Sequence, residues 1–389
     1  MILTKNIIFK NFSKIKKDKV LKKKLNTIIK KNNEILKSLG VNYSYSYSKR
    51  IISKLKKNFS SIRLIGMGGS ILGTKAIYKF LNNKIKKKII FIDNLIPKQN
   101  YQTRNKKILN IVVSKSGNTL ETILNTNIFV NKKSNNIFIT ENKNSYLRKL
   151  AYQLKSEIID HNNFIGGRYS VLSEVGMLPS SLVGLNEKKF KQFNKLIKNQ
   201  TFMNNLIINS SNIIYFIKKK FFNSIIINYD ESSNDFFKWY QQLIAESLGK
   251  KQKGIFPLIS TMPKDNHSLT QLYLDGPKKS FFTFFDVIEK KSDKIKNELI
   301  LPDYNYLKNK KMFEVLSSQK KGSENVFFKK KIPFRSFQIL NRNEETLGEL
   351  FTFFILETIL IAKAIKVNPY DQPSVELIKK DTKRILKNV

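Results

Sequence analysis

The sequence predicts an α/β fold of two units, each a mainly parallel sheet flanked by helices. Three observations carry this expectation. From about residue 61, short β-branched runs alternate with helical stretches; several of the runs end in Gly- or Ser-rich turns; and the same alternation resumes after residue 195. Parallel neighbours need a crossover, usually a helix, so strand and helix in alternation imply a parallel sheet. The length of 389 residues agrees, since it exceeds one small module at roughly 100–200 residues per domain. The expected division is a helical N-terminal segment over 1–44, a first unit over 45–195, and a second unit with a C-terminal helix over 196–389.

Residues 13–39 form a lysine-rich segment with Leu21, Leu25, Ile28, Leu36 and Leu39 near one face, ended by Gly40. This spacing predicts one amphipathic helix, with Lys22, Lys23 and Lys24 on its solvated side. The alternation of Tyr43, Tyr45 and Tyr47 reads as a short extended linker, although such rings also suit base stacking. Strands are expected at 62–65, 88–92, 109–114, 136–140 and 157–159, with helices beginning near Ser70, Thr119 and Ser145. A helical connection over 186–220 leads to strand 224–229, helix 233–248, strand 279–287, a helix near 304–316, strand 333–340 and a long helix over 346–365. The most apolar run, 350–365, carries Glu357 and Lys363, so it predicts a helix buried in a large core and not a membrane span.

Composition narrows the chemistry. Cysteine is absent, which excludes disulfides, thiolate nucleophiles and Cys-containing zinc sites. The two histidines, His161 and His267, lie far apart, so no metal site is expected. The basic N-terminus lacks a continuous apolar core and a small-residue cleavage site, so a soluble cytoplasmic protein with no membrane partner is expected. Seventy-two Lys plus Arg against 29 Asp plus Glu leave a net charge of +43. That excess suits an anionic partner: nucleic acid, a membrane surface or a phosphorylated substrate. Compositional drift is the preferred explanation, because Lys, Asn, Ile, Phe and Tyr crowd the chain and all have adenine- and thymine-rich codons.

Two turns have the character of phosphate cradles. Gly66-Met67-Gly68-Gly69-Ser70 follows a strand and opens a helix, so glycine permits close backbone approach while the helix N-terminus offers free N–H groups. With Asp93 at the end of the next strand it resembles a dinucleotide fingerprint, but Ile71 stands where the third glycine belongs. In the second turn, Ser114-Lys115-Ser116-Gly117-Asn118-Thr119, hydroxyls, an amide and a lysine gather at one helix start, where Asn118 and Glu121 have capping-box spacing. Both turns are also readable as plain turn and cap residues.

Other residues gain meaning only together. Arg168 directly follows Gly166-Gly167, where a guanidinium can stabilise a developing oxyanion. Gln242 and Glu246 share one helix face; Glu246 suits a general base or, more simply, a surface carboxylate paired with Lys250. His267 lies in a polar turn fit for proton transfer near neutrality. The turn Asn368-Pro369-Tyr370-Asp371-Gln372-Pro373 opens a last helix that carries Lys379.

The strings GMGGSILG, SKSGNTLET, GGRYSVLSEVGMLP, WYQQLIAESLGK, KDNHSLTQ and NPYDQPSVELIKK occur in this order between Gly66 and Lys380. Together they resemble the glucose-6-phosphate isomerase family, and the Gly117-Asn118 pair resembles its shorter bacterial branch. The resemblance implies two sugar-isomerase (SIS) domains and cofactor-free interconversion of glucose 6-phosphate and fructose 6-phosphate through a cis-enediolate, in glycolysis and gluconeogenesis. It implies phosphate binding by Gly69, Ser70, Ser114, Lys115, Ser116 and Thr119, and substrate contacts from Gln242 and Gln372. It further implies Glu246 as the base, Arg168 as the cation on the enediolate, and His267 and Lys379 as aids to ring opening. A homodimer with shared active sites follows, the histidine coming from the partner subunit, with no specific nucleic acid and no metal. From a different class, the rival expectation is a non-catalytic sugar-phosphate-binding regulator with a basic nucleic-acid surface. A nicotinamide-dependent oxidoreductase built on residues 66–93 is a third.

Overall fold

The β-branched runs of the sequence assemble into two sheets. The computed structural model describes residues 1–12, 18–56, 59–98 and 107–388. In chain order the strands are β1 (Ile2–Thr4), β2 (Ile7–Lys10), β3 (Ser61–Gly66), β4 (Lys88–Ile92), β5 (Ile108–Val113), β6 (Asn135–Thr140), β7 (Glu157–Asp160), β8 (Asn223–Asn228), β9 (Phe256–Thr261), β10 (Ser280–Val287) and β11 (Phe334–Ile339). One sheet is five-stranded and parallel throughout, in the order β4-β3-β5-β6-β7. Every residue of β3 is buried, as expected for a strand covered on both faces. The pairing of β3 with β5 sets Gly66 opposite Val113, so the two glycine-bearing turns leave the sheet side by side. Ligands of parallel sheets gather at such carboxyl ends.

The other sheet is six-stranded, β1-β2-β11-β10-β8-β9. Its four C-terminal strands are parallel, and the β1-β2 hairpin adds to β11 in antiparallel sense. This hairpin lies where only helix is expected at the N-terminus. Ile7 and Phe9 are buried while Lys10 is exposed, a period-2 pattern too short to separate from helix by sequence. Strand β9 is also unanticipated, because Pro257 argues against a strand; Pro is tolerated here since β9 is the sheet edge.

Helices join the sheets. Asn234–Leu248 packs against Leu72–Phe80, which follows the first glycine turn, and against Glu344–Ala364. One continuous apolar cluster draws on both sheets and these helices. Glu344–Ala364 is buried without a break from Thr346 to Ala362, as its apolar run predicts. Its Glu357 forms a fully buried ion pair with Arg335 and also accepts from Asn209 and Tyr240. Buried charges persist only when paired and hydrogen-bonded in this way. Among the described residues, no helix is long and apolar enough to cross a membrane.

Two further expectations are corrected. The single helix over 13–39 is two, Lys19–Lys31 and Glu34–Leu39, while 13–17 lie outside the described residues. Asn32 breaks it with φ 37°, and Asn33 caps the second helix by accepting from the Leu36 amide. The helix near 304–316 is a 3₁₀ turn, Pro302–Leu307, followed by helix Met312–Lys329. Tyr43, Tyr45 and Tyr47 do lie in an irregular link between helices Glu34–Leu39 and Lys49–Lys56, and their rings pack: Tyr45 stacks on Tyr47 at 4.8 Å, and the buried Lys191 ammonium lies over Tyr43 and Tyr45.

Candidate active site

The first glycine turn and the Gly166-Gly167 pair meet backbone to backbone. A Cβ on Gly69 would stand 2.1 Å from the carbonyl carbon of Gly167, so no other residue fits without displacing that turn. Gly68 has φ +51°, and a Cβ there would stand 2.9 Å from Nε2 of Gln242. The turn thus lies against the Arg168 segment through backbone at Gly69 and against the helix Asn234–Leu248 through the Gln242 side chain at Gly68.

Arg168 is held on every side. Its Nε donates to Ser247 Oγ at 2.9 Å, and its NH2 group donates to the carbonyls of Pro369 at 2.6 Å and Asp371 at 3.1 Å. The NH1 group donates to Glu246 Oε2 at 3.0 Å and Gln372 Oε1 at 2.8 Å. The Trp239 indole N–H donates to the Arg168 carbonyl at 3.0 Å, fixing the main chain as well. Tyr169 uses its hydroxyl hydrogen on the Pro369 carbonyl, so Ser247, already an acceptor from Arg168, donates to Tyr169. Burial pushes the Tyr169 phenol up to about 12, keeping it a donor.

Glu246 is held on both oxygens, by Arg168 and by Gln242 Nε2 at 2.8 Å. Its expected surface pairing with Lys250 is not formed. Lys250 instead bonds Asp371 at 3.0 Å and the Asn368 carbonyl, and burial lowers its pKa. Oε1 of Gln242 is buried and, among the described residues, has no hydrogen-bond partner. A carboxylate, a guanidinium and an unsatisfied amide oxygen therefore converge beside the glycine turns. A base next to a fixed cation can move a proton at a carbon whose neighbouring oxygen gains charge.

The second turn continues from β5. Ser114 Oγ and Thr119 Oγ1 are hydrogen-bonded at 2.9 Å, and Ser116 is exposed with its Oγ accepting from the Asn118 amide. Gly117 has φ +66° and leaves room for Ser145, whose buried Oγ has no partner among the described residues. Thr119, not Asn118, is the N-cap of helix Leu120–Phe129; Asn118 Oδ1 accepts from the Tyr146 amide instead, so the capping-box spacing is not used. Lys115 turns its ammonium to the Asn163 carbonyl at 2.8 Å and toward Glu141 at 3.5 Å, away from the convergence of hydroxyls expected of it. Ser70 and Ser114 leave adjacent strand ends.

Two expected residues are bonded to neither Arg168 nor Glu246. His267 is exposed on the 3₁₀ turn Lys264–His267. Lys379 lies on Val375–Leu386, a helix with no buried residue, where it pairs with Glu376 at 2.7 Å and is 63% exposed. Ser247, Trp239, Tyr169 and Lys250 support the site without any prior sequence signal beyond nearness to Glu246 and Arg168.

A family model described as phosphoglucose isomerase matches residues 45–257. The chain is 33% identical to a glucose-6-phosphate isomerase of Methanocaldococcus jannaschii over 357 residues, 86% of each chain. It is 32% identical to the Mycoplasmopsis synoviae protein of the same name over 361 residues, covering 85% of this chain and 84% of that one. Its fold matches a Thermus thermophilus structure described as a hypothetical protein, with TM-score 0.83, 22% identity and 94% of each chain covered. A Chlamydia trachomatis glucose-6-phosphate isomerase structure matches with TM-score 0.72 and 20% identity, over 87% of this chain and 72% of that one. The chain belongs to the phosphoglucose isomerase family.

Proposed function

We propose that this chain interconverts glucose 6-phosphate and fructose 6-phosphate, with Glu246 as the base and Arg168 as the cation that steadies the enediolate. The observation that carries the assignment of roles is the 3.0 Å contact between these two groups at the meeting of the glycine turns. The two sugars are isomers, so the reaction consumes no oxidant or reductant. Glu246 takes the proton from C2 of the opened aldose and returns it to C1, while the charge left on oxygen faces Arg168. A carboxylate removes such a proton only if that oxyanion is stabilised, which is why base and cation must be neighbours.

The remaining roles are part of the same reading. Ser70, Ser114, Ser116 and Thr119 bind the phosphate together with the first-turn amides of Leu120–Phe129, which point toward an anion at the helix start. Lys115 contributes field and not direct contact, in keeping with its bonds to Asn163 and Glu141. The unpartnered Oε1 of Gln242 accepts from a sugar hydroxyl, and Gln372 contacts the substrate beside Arg168. His267 acts from a partner subunit, in a homodimer whose sites are shared, and its exposure supports this; Lys379, on the last helix, assists ring opening. The unit boundary falls near residue 195.

A coupled assay of fructose 6-phosphate conversion with a strong chelator present tests the function. Turnover should persist with chelator, and Glu246→Gln should lower kcat by about 10²–10⁴-fold. Parental turnover in that variant would remove Glu246 as the base.

A further inference from the structure

Away from the Arg168–Glu246 cluster, and sharing no residue with it, the second sheet carries a groove of about 900 Å³. It lies between the C-terminal ends of helices Gln200–Lys218 and Met312–Lys329 and the starts of β10 and β11. Phe216, Phe221 and Ile332 form an apolar floor, and Phe328, 67% exposed, stands at the mouth. Among the described residues five lysines line the groove, Lys10, Lys219, Lys279, Lys329 and Lys331, and no carboxylate does. Among the described residues none of the five is in an ion pair. An apolar floor ringed by unneutralised cations is complementary to a molecule with an apolar body and an anionic head.

The arrangement also selects the kind of body. Lys10 sits over the ring of Phe334 at 4.7 Å, Lys279 over Phe221 at 5.7 Å and Lys219 over Tyr215 at 6.0 Å. One face each of Phe334, Phe221 and Tyr215 is thus taken by an ammonium group, and a base stacking there would have to displace it. A flexible aliphatic chain needs only the ring edges and Ile332. We propose that this groove binds a free single-chain anionic amphiphile, an acyl carboxylate whose chain lies on the apolar floor and whose head meets the lysine rim.

Calorimetric titration of the full chain with dodecanoate, below its micelle-forming concentration, tests the proposal against dodecyltrimethylammonium and hexanoate. One saturable dodecanoate site is expected, with hexanoate at least about tenfold weaker for its lost methylenes. The cationic amphiphile should not bind. The pair Lys219→Glu and Lys329→Glu should weaken dodecanoate by at least about tenfold, while Lys22→Glu and Lys23→Glu, with the same change in net charge elsewhere, should change it by less than about twofold. Phe328→Ser, at an exposed position, should weaken binding without altering charge. Isomerase turnover in the variants monitors the fold. Equal weakening by the two charge-reversal pairs would show attraction to net charge alone and overturn the proposal. So would equal binding of either comparison compound, or no saturable site. Phosphatidylglycerol vesicles supply the other source of anionic chains: vesicle binding that depends on the groove lysines, with no binding of free dodecanoate, would make this a membrane-facing patch and likewise overturn it.

Discussion

Arg168 and Glu246 touch at 3.0 Å with opposite access to solvent: the Arg168 side chain is 1% exposed and that of Glu246 is 31%. The cation is therefore part of the scaffold, and the carboxylate is the member an incoming sugar can reach. Five donors of one planar group span Ser247, Gln372, Glu246 and two main-chain carbonyls. An ammonium cannot span them, so Arg168→Lys is not a conservative change. We expect kcat to fall by about 10²–10³-fold, as for loss of a group aimed at developing charge, with a smaller change in KM. The variant should also melt lower, because buried carbonyls lose their donors. Steady-state kinetics and thermal unfolding read the two effects separately; parental kcat would remove the cation from the chemistry.

The contact of Gly69 with Gly167 gives a sharper test of geometry. A Cβ on Gly69 would stand 2.1 Å from the Gly167 carbonyl carbon and 2.5 Å from the Arg168 amide, and both are backbone. Gly69→Ala must therefore push away the turn that carries Arg168. A displacement near 1 Å costs about a hundredfold in rate, so kcat should fall by at least that. Gly166→Ala is the control, since its Cβ would meet nothing nearer than Tyr169 at 3.8 Å. It should retain nearly parental turnover, and equal loss in both variants would mean that the backbone contact is not what matters.

These contacts also show what a sequence can and cannot disclose. Strand β3 was legible because buried β-branched residues precede glycines, and Glu246 and Gln242 because their spacing shares a helix face. Arg168, Glu246 and Gln372 do converge. The choice that Lys250 makes of Asp371 over Glu246 was not legible, since it depends on a turn more than a hundred residues away being folded back onto the same helix. The same holds for the Trp239 indole bond to Arg168. Lys115 and Asn118 have the composition of a phosphate cradle, yet local bonds to Asn163 and Tyr146 orient them elsewhere. Edge strand β9 and the β1-β2 hairpin depend on pairing partners, which propensity does not specify.

Shared sites in a homodimer make a prediction that needs no structure of the dimer. Glu246→Gln and His267→Ala should each be nearly inactive as separate preparations. If each site takes Glu246 from one subunit and His267 from the other, subunit exchange in an equal mixture makes half the dimers mixed, each with one intact site. The mixture should then regain about one quarter of parental activity. Recovery can be followed by assay after mild dissociation and reassociation. A mixture that stays inactive although exchange has occurred would place both residues in one subunit's site.

Lys191 links stability to pH through a buried ammonium. Its Nζ donates to the carbonyls of Ser38 and Leu172, each at 2.5 Å, tying the helix Glu34–Leu39 to the end of the turn that carries Arg168. Burial pushes its pKa down to about 7 from 10.5, against the opposing pull of Glu187 and Glu174. Above about pH 7 the folded chain has released this proton, while the unfolded chain keeps it until about pH 10.5, so within that window the unfolded state binds more protons and rising pH favours folding. Below the window both states are charged, and the buried charge is at its most costly. A neutral amine still has hydrogens for both carbonyls, whereas Lys191→Met has none. The urea midpoint of the parent relative to Lys191→Met should therefore rise as pH is raised from below 7 toward 10.5. A difference that stays flat over this range would mean that Lys191 does not lose its proton in the folded chain.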